Sequence, residues 1–174
     1  MIQAAVLTIS DSSSKGTRSD ESGEVLKGLA ASLPGIVECA DIVADDVELI
    51  QERIRHYADS LNVDLVLTTG GTGISPRDNT PEATQPLLEK ELPGLPEAMR
   101  AAGMNKTPYA MLTRGVAGIR GGTLIINFPG SPKAVAENFE AIRVVLKHTI
   151  EKCQGDNRPC ARVETGEDAT CKTI

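Results

Sequence analysis

Short apolar runs separated by amphipathic stretches set the pattern of this chain. Ala4 to Ile9 and Val63 to Leu67 are almost continuously apolar, as strands buried on both faces of a parallel sheet are. Ile36 to Val43 reads as another strand, entered through the Pro34-Gly35 turn. Between them, Val25, Leu26, Leu29 and Ala30 recur at helical spacing within Asp20 to Ser32. Val47, Ile50, Ile54 and Tyr57 do the same after Ala44-Asp45-Asp46, where either aspartate can cap the helix. His56 falls on the polar side of that helix. Pro81 to Lys90 and Leu95 to Ala102 are expected as two short helices separated by Leu92-Pro93-Gly94, with Met99 and Met104 facing packing partners. Gly115 to Ile119 and Thr123 to Phe128 flank Gly121-Gly122, which predicts an antiparallel pair joined by a tight turn. A last helix opens at Pro132, with Val135, Phe139, Ile142, Leu146 and Ile150 on one face. This order predicts a three-layer αβα domain whose sheet is mainly parallel with an antiparallel part.

Composition narrows the function. The 174 residues suit one domain, expected over 1–152, with 153–174 as a mobile polar tail that lacks periodicity. A formal charge of −6, no Trp, two Tyr and two Phe argue against a nucleic-acid partner, since neither a basic footprint nor stacking platforms are present. No stretch reaches transmembrane length and MIQAAVLTIS lacks a basic leader, so no membrane role and a cytoplasmic location are expected. Cys39 is read as a packing residue; Cys153, Cys160 and Cys171 match no zinc spacing and are read as reduced thiols on the tail.

The chemistry gathers where strands end. Thr68 and Thr69 close the third strand, and Gly70, Gly71 and Gly73 leave bare backbone amides that a ligand can approach. Alone, these glycines fit a tight structural turn equally well. Arg77 and Asp78 add a phosphate-pairing guanidinium and a metal-binding carboxylate in the same turn, and Thr80 is expected as the N-cap of a helix beginning at Pro81. The loop is neither a Gly-Lys-Ser/Thr phosphate loop nor a dinucleotide fingerprint. The first strand delivers Ser10 to Ser14 to its carboxyl end, where open α/β sheets collect ligands, and Lys15, Gly16 and Arg18 follow. In Asn127 to Lys133, Ser131 is placed to cap the helix that starts at Pro132, whose N-terminus is a ready anion site.

The segment TTGGTGISPRDNTPEAT, residues 68–84, resembles the signature of the MoaB/Mog family, to which the gephyrin G domain is related. The likeness continues through GIRGGTLIINFPGSPKAVAE and through Asp11 and Ser12, covering nearly all of residues 3 to 150. What the resemblance implies is Mg²⁺-assisted adenylylation of molybdopterin by ATP, with release of pyrophosphate and delivery of the product to a molybdenum insertase. It implies Asp45 and Asp78 as the catalytic and metal-holding pair, although Ala44 stands where related chains usually carry proline. It further implies a substrate and nucleotide site of Asp11, Ser12, Thr69, Gly70, Gly71, Thr72, Gly73, Arg77, Arg114, Asn127, Pro129, Gly130 and Ser131, and a homotrimer. Gly115 follows Arg114 where related chains carry Ser or Pro. Two other readings stay open: a binding or scaffold relative without turnover, and an enzyme acting on another nucleotide.

Overall fold

The computed structural model describes residues 1–157. Six strands form one sheet, β1 (Ile2–Ile9), β2 (Gly35–Val43), β3 (Leu65–Thr69), β4 (Lys90–Glu91), β5 (Ala117–Arg120) and β6 (Thr123–Phe128), in the spatial order β2-β1-β3-β6-β5-β4. β2, β1, β3 and β6 run parallel, and β5 and β4 are antiparallel to their neighbours. The helices are α1 (Asp11–Ser14), α2 (Glu21–Ala31), α3 (Val47–Arg55), α4 (Thr80–Thr84), α5 (Gly94–Met104) and α6 (Pro132–Cys153).

The central strands β3 and β6 are buried along their whole length, as their apolar centres Leu65 to Leu67 and Leu124 to Ile126 favour, whereas β2 alternates half-buried and exposed residues because it lies at the sheet edge. Alternate side chains of β1 and β3 feed two cores. Val6, Leu65 and Leu67 pack with Leu26 of α2 and with Phe139 and Ile142 of α6 on one face. Leu7, Ile9 and Val66 pack with Ile50 and Ile54 of α3 and Ala83 of α4 on the other. The fully buried Tyr57 closes the second core and donates its hydroxyl to Asp41 Oδ2 at 2.6 Å. The result is the expected three-layer arrangement.

Several local expectations give way. The helix after the glycine loop stops at Thr84; a 3₁₀ turn over Gln85–Leu87 follows, and Lys90, expected to end the helix, instead opens β4. Pro86 lacks the amide needed to continue the α-helical ladder. Thr80 is the first helical residue, not the cap, and its hydroxyl donates to the Gly70 carbonyl at 2.9 Å. Of the two aspartates, Asp46 caps α3 by accepting from the amides of Glu48 and Leu49. Ser131 occupies the cap position of α6 without a side-chain hydrogen bond. Met99 is buried, but Met104 is 47 % exposed and packs in no core. Cys39 is half-buried against the second core, as a packing residue. Cys153 belongs to the last turn of α6 and packs against the first core, so the helix runs one residue past the expected boundary. Cys160 and Cys171 lie outside the described residues.

Candidate functional site

The first connection, through α2, covers one face of the sheet, and the next, through α3, covers the other. The crevice between them opens at the carboxyl ends of β1 and β3, where such folds place ligands. A cavity of about 230 Å³ lies there. Asp45, Gly70, Gly71, Asp78 and Gly130 line one part of it, and Ser10, Ser13, Arg18, Asp20, Glu21 and Ser22 contribute to the rest.

The glycines are required at close quarters. Gly70 has φ +97°, and a Cβ there would stand 2.2 Å from the Ile9 carbonyl oxygen. Gly71 has φ +62°, and its Cβ would meet Thr80 Oγ1 at 2.4 Å and Asp45 Oδ1 at 3.1 Å. Bare backbone therefore lets β1, β3 and the start of α4 converge and keeps Asp45 beside the loop. Gly130 approaches the same loop, 3.4 Å from the Gly70 Cα if it carried a Cβ, which brings the N-terminus of α6 to the cavity through Pro132.

The acidic residues are held individually. Asp45 and Asp11 exchange bonds: the Asp11 amide donates to Asp45 Oδ2 at 2.8 Å, and the Asp45 amide donates to Asp11 Oδ1 at 3.2 Å. Burial pushes the Asp45 carboxyl above the usual aspartate range, and the negative charges of Asp11 and Asp78 add to the rise against the opposing bond from the Asp11 amide. The Asp11 carboxyl is held below that range by its bonds to Arg77. Asp78 accepts from the Ser75 amide at 2.8 Å through Oδ2.

The arginines expected to receive phosphates are already engaged. Arg77 grips Asp11 with Nε at 3.0 Å and Nη2 at 2.7 Å from Oδ2. Arg114 donates to the carbonyl oxygens of Gly73 and Asp78, each at 2.7 Å, and pairs with Glu82. It straps the glycine loop to the start of β5 and acts through that loop's shape. The threonines are interior as well. Thr69 Oγ1 donates to the Pro129 carbonyl at 2.8 Å, and Thr72 Oγ1 lies 3.3 Å from Thr113 Oγ1. Asn127, 1 % exposed, donates to Thr68 and Thr84 hydroxyls and accepts from the Val116 amide. Ser12 Oγ sits 3.2 Å from Ser10 Oγ, and Ser10 and Ser13, rather than Ser12, line the cavity.

Sequence reasoning placed Arg18 in the loop after the first strand but missed Ser19 to Ser22, which line the cavity with it. Their signal was their position after the first strand, where Asp20 ties the loop down by accepting from Thr8 Oγ1 at 2.6 Å and from the Gly23 amide at 2.8 Å.

The donor set bears on a metal. Among the described residues no three or more His, Cys, Asp or Glu side chains gather as a metal cage. Of the four carboxylates that line the cavity, Asp20 has both oxygens taken by Thr8 and the Gly23 amide, whereas Asp45 and Asp78 each have one oxygen committed to an amide; that pair suits a hard cation that takes its remaining ligands from phosphate oxygens and water, as Mg²⁺ does, and not Zn²⁺.

A family model described as a probable molybdopterin binding domain matches residues 5–148. The chain is 40 % identical over 157 residues to a molybdopterin adenylyltransferase of Helicobacter pylori, covering 89 % of each protein. It is 43 % identical over 150 residues to the molybdenum cofactor synthesis protein cinnamon of Drosophila melanogaster, matching 86 % of this chain but only 25 % of that longer protein. Among solved structures, the molybdopterin biosynthesis enzyme MoaB of Thermus thermophilus superposes with a TM-score of 0.85 at 46 % identity, covering 90 % of this chain and 98 % of that one. The tungsten cofactor synthesizing protein MoaB of Pyrococcus furiosus superposes at 0.81 with 34 % identity, covering 88 % and 97 %. The match along the domain and the shared architecture agree with the glycine-lined crevice, and the chain belongs to the molybdopterin-binding domain family.

Proposed function

We propose that this chain is a molybdopterin adenylyltransferase of molybdenum cofactor biosynthesis. The observation that carries the reading is the convergence of Asp45, Asp78, Gly70, Gly71 and Gly130 on one cavity at the strand ends. In the reaction, a terminal phosphate oxygen of molybdopterin forms a bond to the α-phosphorus of ATP while the bond from that phosphorus to the β-phosphate oxygen breaks. Pyrophosphate departs with the electron pair. Phosphoryl-type transfer of this kind rests on positioning and charge neutralisation rather than on a protein nucleophile, and the cavity supplies the means for both.

Backbone amides of the glycine loop orient phosphate oxygens without a side chain in the way. Asp45 and Asp78 would hold Mg²⁺, which when bound neutralises phosphate charge. Asp11, fixed by Arg77, holds the Asp45 carboxylate in place through its amide. Arg114 fixes the backbone of Gly73 and Asp78. The same reading carries a cytoplasmic homotrimer that passes its product to a molybdenum insertase.

The test is incubation of the purified protein with ATP, Mg²⁺ and molybdopterin, following adenylylated product and pyrophosphate together. Equal amounts of both are expected. Molybdopterin binding with neither product formed would leave the non-catalytic relative as the function.

A further inference from the structure

The cavity spans the strand ends from one helical layer to the other. Asp45 precedes α3 and Asp78 precedes α4, so both acids belong to the layer built on α3 and α4. The segment from Arg18 to Ser22 leads into α2, in the layer built on α2 and α6. Of the positive side chains near the crevice, Arg77 is taken by Asp11 and Arg114 by Glu82 with two carbonyls, and neither lines the cavity. Arg18 does line it, beside Glu21 and an Asp20 whose two oxygens are taken by Thr8 and the Gly23 amide; it is exposed and makes no ion pair or hydrogen bond among the described residues.

We propose that Arg18 binds the β- and γ-phosphates of the nucleoside triphosphate and stabilises the departing pyrophosphate. This inference rests on the adenylyltransferase reading and assigns one end of its substrate. If the α-phosphorus reacts beside Asp45 and Asp78, the group that reaches the α2 and α6 side must be a part of the substrate that does not react. A triphosphate provides that reach, since its two outer phosphates extend away from the reacting phosphorus and collect the negative charge when the bond breaks. An uncommitted guanidinium pairs with such oxygens in two places at once. The carbonyl-bound Arg114 and the carboxylate-bound Arg77 cannot do so without giving up the contacts that shape the loop and hold Asp11.

The test compares wild type with Arg18→Ala and Arg18→Lys by calorimetric titration with a non-hydrolysable α,β-methylene ATP analogue, with pyrophosphate and with AMP, all with Mg²⁺. Arg18→Ala is expected to weaken the analogue and pyrophosphate about tenfold or more, the scale of a charged phosphate contact. AMP affinity and melting temperature should stay where they are, and Arg18→Lys should recover part of the loss. In turnover assays the KM for ATP should rise and that for molybdopterin should not. Unchanged analogue and pyrophosphate affinities in Arg18→Ala, no binding of either by wild type, or a rise confined to the molybdopterin KM would each overturn the assignment. Wild type that binds the analogue through Arg18 but forms no adenylylated product would overturn the enzyme reading and leave the arginine's phosphate contact standing.

Discussion

Asn127→Ala separates a ligand-binding asparagine from a structural one. The side chain lies between β6, β3 and α4, with Nδ2 3.0 Å from Thr68 Oγ1 and 3.1 Å from Thr84 Oγ1, and with Oδ1 accepting from the Val116 amide at 3.3 Å. At 1 % exposure, no water replaces these partners when the side chain is removed. The net loss is about 1 kcal/mol for each of the two shorter bonds and less for the longer one. A small cavity left in a packed interior adds about 1 kcal/mol, for a total of about 3 kcal/mol. For a chain of this size that lowers the melting temperature by roughly 6–12 °C. Urea titration should show a lower midpoint at unchanged slope, because the surface exposed on unfolding is the same. Turnover per folded molecule at low temperature should remain within about threefold of wild type, the change expected when no transition-state contact is lost. An unchanged melting curve with a hundredfold loss of turnover would refute this assignment and return Asn127 to the ligand site.

Asp45→Asn and Asp78→Asn should each lower turnover by roughly a hundredfold or more, the scale of lost transition-state charge stabilisation. Full activity in both folded variants would remove the metal-holding role. Because burial raises the Asp45 carboxyl above its ordinary value of 3.8, the acid limb of kcat/KM should lie above that value in wild type, and Asp45→Asn should lose it. A raised folded pKa favours the protonated folded state, so Asp45's contribution to stability is present below its ordinary value and is lost as pH rises through the raised one. Asp45→Asn should accordingly melt no lower than wild type at neutral pH, with any advantage shrinking as pH falls; a growing advantage in acid would contradict the sign. Truncation after Lys152 should lower the melting temperature measurably, since Cys153 packs on the first core and Gln154 donates to Asp64, and an unchanged melt would show those contacts to be idle.

The elements that the sequence made legible are those whose burial is continuous or periodic. Ala4 to Ile9 and Thr123 to Phe128 could be read because strands buried on both faces are mostly apolar, their few polar side chains, Thr8, Thr123 and Asn127, being buried with hydrogen-bond partners. The stripe Ile50, Ile54 and Tyr57 could be read because one helical face is buried. Lys90 and Glu91 carry no such mark: both are exposed, and they form a strand only because β5 offers an open edge. The same limit applies to the site. That Gly70, Gly71 and Asp78 share one turn at the cavity could be read because they are close in the chain, whereas the partners of its arginines are set by folding. Arg77 finds Asp11 and Arg114 finds Glu82 across 66 and 32 positions of chain, and nothing local to either arginine marks it as already paired. Asn127 is a related case, since a polar residue close to Pro129 and Gly130 reads as a ligand contact, and its buried bonds to the hydroxyls of Thr68 and Thr84 come from distant parts of the chain.

The division of charge across the crevice follows from the crossovers. With α2 on one face and α3 on the other, the ends of β1 and β3 are bordered by the start of a helix from each layer. Asp45 lies in the short connection from β2 to α3, and its amide exchange with Asp11 ties the ends of β1 and β2 together, so its carboxylate cannot withdraw from the cavity without opening that junction. On the other side, the α2 border carries the Arg18 guanidinium beside Asp20 and Glu21, with both Asp20 oxygens already taken by Thr8 and the Gly23 amide. An anionic substrate therefore finds one guanidinium, Arg18, at the α2 border, and is repelled by Asp45 and Asp78 until a cation occupies them. Substrate and cation relieve each other's unfavourable interactions only when both are present, so each strengthens the other's binding by the same factor, and the carboxylates that would repel a phosphate alone become the means of holding one.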